Sequence, residues 1–344
     1  MRLKKAKALH EDFDRDGVKS RVLRATAAHS GAPMPSSETV SVFSVATEGL
    51  SDPRVRNFSR SAAVFGVNAT LLTGAGWQGY DGLALAYARA AEALPPARLA
   101  IMLDAPDLFV AATPAQILEA YARVVGGRRR AVVLGLETGC PPGRCTPVPD
   151  DGAAVPAAAP GIAGLRNING GFVAGEAASV ARMWRWVSSH ACCAVKRGVN
   201  RTSGQLGIGR FARAHPHAVA YDREQRLVAH IINGGVRGDD GQMRDHIEWA
   251  DHYEVVPRPT PARAGGLVMP TQVRNRHSGV APCFVHAPGT HEINRKAFRK
   301  RRRIMEPWDA IVRAMAPDDD PCGGAHEVLN LIREPRPGEV VRLC

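Results

Sequence analysis

The chain has 344 residues, 45% of them hydrophobic and 6% aromatic, which is an ordinary composition for a globular protein with a sizeable core. Its net charge of +12 favours an anionic partner, such as a nucleotide, a phosphate, a membrane surface or an acidic polymer, without choosing among them. No run approaches the roughly 18–20 apolar residues of a membrane span. Residues 1–5 also lack the apolar segment of a secretory signal, so we expect a soluble, cytoplasmic protein.

The two ends of the chain differ in composition from its middle. Residues 1–37 predict a basic, flexible N-terminal arm, and residues 296–344 predict a tail that is basic and then rich in proline and aspartate. The dense basic block at 295–303 is typical of a solvated helix or tail, with a polyanion-binding or localisation patch as the alternative. Residues 38–295 remain as one large domain.

The first half of that domain alternates strand and helix. Apolar runs and helical spacing predict strands at 40–46, 68–72, 99–103 and 131–136, with helices at 54–65, 83–94 and 114–125 between them. Thr113 followed by Pro114 is a typical helix start, since the threonine can cap the helix and proline needs no N–H donor in its first turn. Alternation of this kind predicts a mainly parallel central sheet flanked by helices, an α/β fold.

The second half of the domain is less regular. Residues 140–164 predict a long loop, and Cys140 and Cys145 within it are expected to be reduced thiols, with a disulfide or half of a metal site as alternatives. The segment 167–173 follows that loop, and beyond it the patterns predict strands at 227–232 and 283–286 and helices at 177–187 and 205–214.

The most informative segment is the apolar run 99–103, which ends in Asp104 and Asp107. Ligands of open α/β sheets bind at the carboxyl ends of strands, where these acids would lie. Two carboxylates there can hold a divalent cation, and the cation can hold a diphosphate. A surface turn around Pro106 is the alternative. His286 follows a late strand, and two carboxylates with one imidazole suit Mn²⁺ or Mg²⁺.

A glycine pattern offers a competing ligand. Gly74, Gly76 and Gly79 match the spacing of a dinucleotide-binding loop. That loop would have to follow the first strand and open a helix directly, whereas here it follows the second strand. We therefore expect a glycine-rich loop without a dinucleotide.

Seven segments, in order along residues 40–295, resemble the glycosyltransferase domain of procollagen lysyl hydroxylases and their viral relatives. They are Val45-Ala46-Thr47-Glu48, the helix 57–65, Trp77-Gln78-Gly79-Tyr80-Asp81, Leu103-Asp104-Ala105-Pro106-Asp107, Glu137, Asn169-Gly170-Gly171-Phe172 and Val285-His286-Ala287-Pro288-Gly289. The resemblance implies a GT-A-like nucleotide-sugar-binding fold and transfer of a hexose from a UDP-sugar. The acceptor it implies is hydroxylysine or galactosylhydroxylysine of a collagen-like protein.

The resemblance also implies roles for single residues. The metal ligands would be Asp104, Asp107 and His286. The nucleotide-sugar would contact residues on four of the segments, namely Thr47, Glu48, Trp77, Asp104 and Gly289. Asn169 and Gln205 would lie on the acceptor side.

The chain departs from the family beside the acceptor. The family has an acidic run ending in Asp-Gln, whereas here Gln205 follows Gly204, and Pro288 replaces an asparagine of the late motif. Nucleotide and metal binding are therefore better supported than transfer to a collagen lysine, and no residue stands out as a general base. Two alternatives stay open: a catalytically impaired nucleotide-sugar-binding homologue, and a basic protein that binds nucleic acid or another polyanion through 295–303.

Overall fold

The computed structural model describes fourteen ranges of the chain. They are residues 40–45, 53–72, 79–104, 108–128, 130–137, 147–148, 167–190, 204–230, 233–237, 243–246, 253–264, 267–276, 278–286 and 340–343. Thr47, Glu48, Trp77, Asp107 and Gly289 lie outside the described residues, as do Cys140, Cys145 and the basic block 295–303.

The described residues form strands, helices and a short 3₁₀ turn at Pro216–Ala218. The strands are β1 (Val40–Val45), β2 (Ala69–Leu72), β3 (Leu99–Leu103), β4 (Leu108–Val110), β5 (Val132–Glu137), β6 (Asn167–Glu176), β7 (Val219–Tyr221), β8 (Val228–His230), β9 (Asn233–Arg237), β10 (Met243–His246), β11 (Tyr253–Ala264), β12 (Leu267–Asn275), β13 (Phe284–His286) and β14 (Val340–Leu343). The α-helices are α1 (Pro53–Val64), α2 (Gly79–Glu92), α3 (Pro114–Val125), α4 (Ala177–Ser189) and α5 (Gly204–Ala214).

Seven strands form the central sheet, in the order β14-β2-β1-β3-β6-β5-β7. Strands β2, β1, β3, β5 and β7 share one direction, whereas β6 runs antiparallel to both β3 and β5, and β14 runs antiparallel to β2. The predicted α/β class is therefore confirmed, and the sheet is mixed although most of its strands are parallel. The last strand lies within the segment that the sequence analysis assigned to the C-terminal tail.

Helices cover both faces of this sheet, and each face has its own hydrophobic core. Strand β3 shows why: Leu99, Ile101 and Leu103 pack on the face of α1 and α3, whereas Ala100 and Met102 pack on the face of α2, α4 and α5. Side chains alternate between the two faces of a strand, so an uninterrupted apolar run serves a sheet buried on both sides.

Two of the predicted elements match the structure in detail. The strand at 99–103 has the predicted bounds, and α3 begins after Thr113, whose side chain accepts a hydrogen bond from Gln116 in a capping box. Gly126 ends α3 in the left-handed conformation that helix ends favour.

A smaller sheet, in the order β4-β13-β8, packs on the core of α1 and α3. Strand β13 is antiparallel to β4 and parallel to β8, and the register pairs His286 with Leu108 on one side and with His230 on the other. All three residues of β13 are buried. This sheet therefore brings the ends of β8 and β13 together.

Two antiparallel hairpins, β9–β10 and β11–β12, complete the described strands. The register of β11–β12 breaks between Pro257 and Ala262, where prolines remove backbone donors. No helix among the described residues is long and apolar enough to cross a membrane.

Candidate functional site

The site lies at the carboxyl ends of β1 and β3. The chain leaves β1 for β2 on one side and returns through α2 to β3 on the other side, so β1 and β3 flank the point where the strand order reverses. In open α/β sheets, ligands bind in the crevice at such a point. Of the residues that directly follow these two strands, the structure describes Asp104, which comes after β3.

Asp104 is exposed at the end of β3. Its backbone N–H donates a hydrogen bond to the carbonyl oxygen of Gly171 in β6, at 3.1 Å. Nearby, the Tyr87 hydroxyl donates to the carbonyl oxygen of Leu103 at 2.8 Å. Burial, and the negative charge of Asp104, raise the pKa of Tyr87 far above its ordinary value, so this hydroxyl stays protonated beside the crevice.

His286 reaches the same glycine from the smaller sheet. Its ring packs directly on the Gly171 backbone: a Cβ added at Gly171 would overlap Cε1 of His286 and lie 3.1 Å from Nε2. The side chain is 2% exposed. Gly171 is thus contacted by the backbone of Asp104 and by the ring of His286, two of the three residues predicted to bind the metal.

The third predicted ligand, Asp107, lies outside the described residues, but Leu108, which follows it, is the register partner of His286. Within the described ranges, no group of three or more His, Cys, Asp or Glu side chains is arranged to hold a metal ion. Carboxylate and imidazole are donor types that Mn²⁺ accepts, so Asp104 and His286 have the ligand chemistry of the predicted site.

Glu137, the last residue of β5, is buried beside the histidine. Its Oε1 accepts a hydrogen bond from Nε2 of Gln205 at 2.9 Å, and its Oε2 accepts one from Nδ2 of Asn169 at 2.8 Å. Burial raises the pKa of Glu137 to about 7, although both amide donors and the charge of His286 act in the opposite direction. A carboxyl group with this pKa is partly protonated near neutral pH.

Asn169 and Gln205, the predicted acceptor-side residues, therefore meet at one carboxyl group. Asn169 also accepts a 2.7 Å hydrogen bond through Oδ1 from the backbone N–H of Gly171. One side chain thus links the carboxyl group of Glu137 to the glycine on which Asp104 and His286 converge.

The glycine pair of the Asn169-Gly170-Gly171 motif has a steric explanation. A Cβ at Gly170 would lie 3.0–3.1 Å from Cβ, Cα and N of Gln205, so this glycine lets the start of α5 approach β6. Gly171 makes room for the ring of His286. The lack of a side chain at Gly170 therefore makes room for Gln205, and the lack of one at Gly171 makes room for His286.

The sequence analysis missed His230, the last residue of β8. Its Nδ1 lies 2.8 Å from Nδ1 of His286, and its side chain is 1% exposed. A Cβ at Gly135 in β5 would lie 2.6 Å from Nε2 of His230. The sequence contains two signals for this position. His230 interrupts an apolar run, much as His286 does. Gly135 interrupts a run of bulky residues, and a glycine within a strand marks close approach of another group.

Comparison with known proteins adds no relative. No protein-family model matches the chain, and no curated protein is significantly similar to it.

Proposed function

We propose that this chain is a divalent-metal-dependent glycosyltransferase with a GT-A-like fold that transfers a hexose from a UDP-sugar. The observation that carries the proposal is the convergence on Gly171, where the backbone of Asp104 and the ring of His286 meet beside the Glu137 carboxyl group. The strand reversal at β1 and β3 supports the same position for the nucleotide.

Asp104 and His286, with Asp107, would hold Mn²⁺ or Mg²⁺. When bound, the cation supplies a Lewis acid that neutralises the charge developing on the departing diphosphate. Ligand positions of the ion that these three side chains do not fill would be open to phosphate oxygens.

Glu137 is suited to receive the proton of an acceptor hydroxyl. Its pKa of about 7 leaves a substantial ionised fraction at neutral pH, and an acid–base group works best when its pKa lies near the working pH. Asn169 and Gln205 hold its two oxygens in place by one amide hydrogen bond each. Glu137 would thus supply a carboxylate on the acceptor side. Gly204, which stands where the related family has an aspartate, cannot supply one.

The second candidate is a homologue that binds the nucleotide-sugar without transferring it. Gly204, at the start of α5, stands where the related family has an aspartate. The same donor site would then bind UDP with the metal, and no acceptor would be modified.

Calorimetric titration of UDP with and without Mn²⁺ tests the donor site. The wild-type protein should bind UDP only with the metal, and Asp104→Asn should weaken binding roughly tenfold or more. Glu119→Gln is the control, because that exposed carboxylate on α3 forms an ion pair with Arg123. Metal-independent UDP binding, or none, would contradict the proposal.

Transfer is tested by UDP release from UDP-hexoses in the presence of hydroxylysine and galactosylhydroxylysine peptides. Glu137→Gln should keep metal-dependent UDP binding and lose about 100-fold or more in turnover. Turnover unchanged in Glu137→Gln would remove the base role. Binding without turnover of any acceptor would establish the second candidate.

A further inference from the structure

His230 was not predicted to belong to the site. Its ring nevertheless lies against His286, a predicted metal ligand. The parallel register of β8 and β13 pairs His230 with His286, so both rings project from neighbouring strand ends. Their Nδ1 atoms are 2.8 Å apart, and the ring planes meet at 68°. Because each ring nitrogen either donates or accepts, one Nδ1 carries the proton of this hydrogen bond and the other accepts it.

The pair is held between the two sheets. On the central sheet, Gly135 of β5 faces the His230 ring and Gly171 of β6 faces the His286 ring. The β5–β6 register shifts between Leu134 and Leu136, at Gly135 itself. Two glycines and a register shift thus shape the sheet around the two rings, which are both at most 2% exposed.

We propose that His230 is a positioning residue for His286: its Nδ1 accepts the Nδ1–H of His286 and so leaves Nε2 of His286 as the ligating nitrogen. The inference rests on the proposed function, because it concerns the metal ligand of that site. A metal-binding histidine almost always donates its second ring N–H to a neighbouring acceptor, which fixes both the tautomer and the orientation of the ring.

The contact with Gly171 agrees with this assignment. Nε2 of His286 lies on the side of Gly171, whose carbonyl oxygen bonds the backbone of Asp104. Nδ1 lies on the side of His230. Nδ1 therefore faces His230, whereas Cε1 and Nε2 face Gly171, the residue that Asp104 also contacts.

The test compares His230→Leu with His230→Asn in the full chain. Leucine fills the space without a hydrogen-bond acceptor, whereas the Oδ1 of asparagine lies near the position of Nδ1. Electron paramagnetic resonance of free Mn²⁺ gives the metal affinity without any turnover. We expect about 10–100-fold weaker Mn²⁺ binding for His230→Leu and recovery to within about threefold for His230→Asn. His217→Leu, at an exposed histidine of the 3₁₀ turn, is the matched control and should bind as the wild type.

A second readout reports the tautomer itself. Long-range ¹⁵N–¹H spectra of histidine-labelled protein, assigned with a His286→Ala variant, should show His286 protonated at Nδ1 in the wild type and a mixture of tautomers in His230→Leu. Equal losses of Mn²⁺ affinity in His230→Leu and His230→Asn would overturn the inference, as would an unprotonated Nδ1 on wild-type His286. A wild-type protein that binds no Mn²⁺ would instead overturn the proposed function and the positioning role with it.

Discussion

Gly171 has the greatest steric constraint of the residues in the site, because the ring of His286 occupies the space that any side chain would need. We expect Gly171→Ala to displace the ring and to lower the free energy of unfolding by about 1–3 kcal/mol, the usual cost of overpacking. Mn²⁺ affinity should fall with it. Urea denaturation and metal titration measure the two effects.

Gly175→Ala is the control in the same strand. Its added Cβ would lie 3.1 Å from Cγ2 of Val180, a methyl group that can move, and 3.4 Å from the carbonyl oxygen of Ala131 and Cα of Val132, which is ordinary contact. Equal effects of the two substitutions on Mn²⁺ affinity would show that the contact with His286 has no special role.

The raised pKa of Glu137 predicts that the free energy of unfolding depends on pH. Its pKa rises from an ordinary 4.5 to about 7 on folding, so between these values the folded protein holds a proton that the unfolded chain has lost. The free energy of unfolding should therefore fall as the pH rises through this window. Glu137→Gln removes the titrating group, so the wild type should lose about 2–3 kcal/mol relative to the variant between pH 5 and pH 8.

Urea unfolding of metal-free protein at the two pH values measures this difference. A wild type and a Glu137→Gln variant with parallel pH profiles would mean that the carboxyl group titrates normally in the folded state.

Most single residues of the candidate site were named from the sequence, whereas the pairing of His230 with His286 was not. Glu137, Asn169, Gln205 and His286 stand in motifs that are recognisable locally. His230 becomes significant only through a strand register that joins it to a residue 56 positions away. No local pattern encodes such a pairing, because it depends on which strands become neighbours.

At the scale of elements, the long and strongly patterned segments were predictable. The apolar run 99–103 and the capping signals around α3 are local, and the structure reproduces both. Strands β4 and β7, which were not predicted, have three residues each, which is too short for a period to be recognised. The hairpin β11–β12 contains prolines that argue against a strand when only the sequence is considered.

The turn before β8 depends on Asp222. Its carboxylate accepts hydrogen bonds from the backbone N–H groups of Arg226, Leu227 and Val228, at 2.7–2.8 Å. Asp222→Ala would leave three donors without this acceptor, two of them buried, so we expect a loss of about 3 kcal/mol or more in the free energy of unfolding. Because this turn leads into β8, the contact between His230 and His286 should loosen as well.

Glu224→Ala is the matched control two residues away, because that carboxylate makes a partly exposed ion pair with Arg226. Such pairs contribute about 1 kcal/mol or less. Chemical denaturation of both variants compares them, and similar losses would show that the backbone hydrogen bonds of Asp222 are not what holds the turn.

At the scale of the whole molecule, the sequence predicted the class of the fold and not its topology. Alternating strands and helices indicated parallel pairing, but β6 enters between β3 and β5 in the opposite direction, after the segment 138–166. This insertion is what carries Asn169 and Gly171 to the carboxyl ends of β3 and β5. The order of strands arises from contacts between distant segments, which periodicity does not report.

The site draws its residues from six separate elements: β3, β5, β6, β8, β13 and α5. A ligand that bridges them should therefore stabilise the folded chain as a unit. Saturation at about 100 times the dissociation constant adds about 2.7 kcal/mol. In a protein of this size each kcal/mol raises the Tm by about 1–2 °C, so Mn²⁺ with UDP should raise it by about 3–5 °C.

Thermal unfolding in four solutions checks this prediction: buffer with EDTA, Mn²⁺ alone, UDP with EDTA, and both ligands together. The full shift should require both ligands and should shrink in Asp104→Asn. Repeating the measurement at high salt separates the site from the general attraction of a chain with net charge +12, since exposed electrostatic binding weakens steeply as salt rises. A shift that UDP produces equally well in EDTA, and that salt abolishes, would mean that the basic charge of the chain binds the nucleotide and that the arrangement around Gly171 does not.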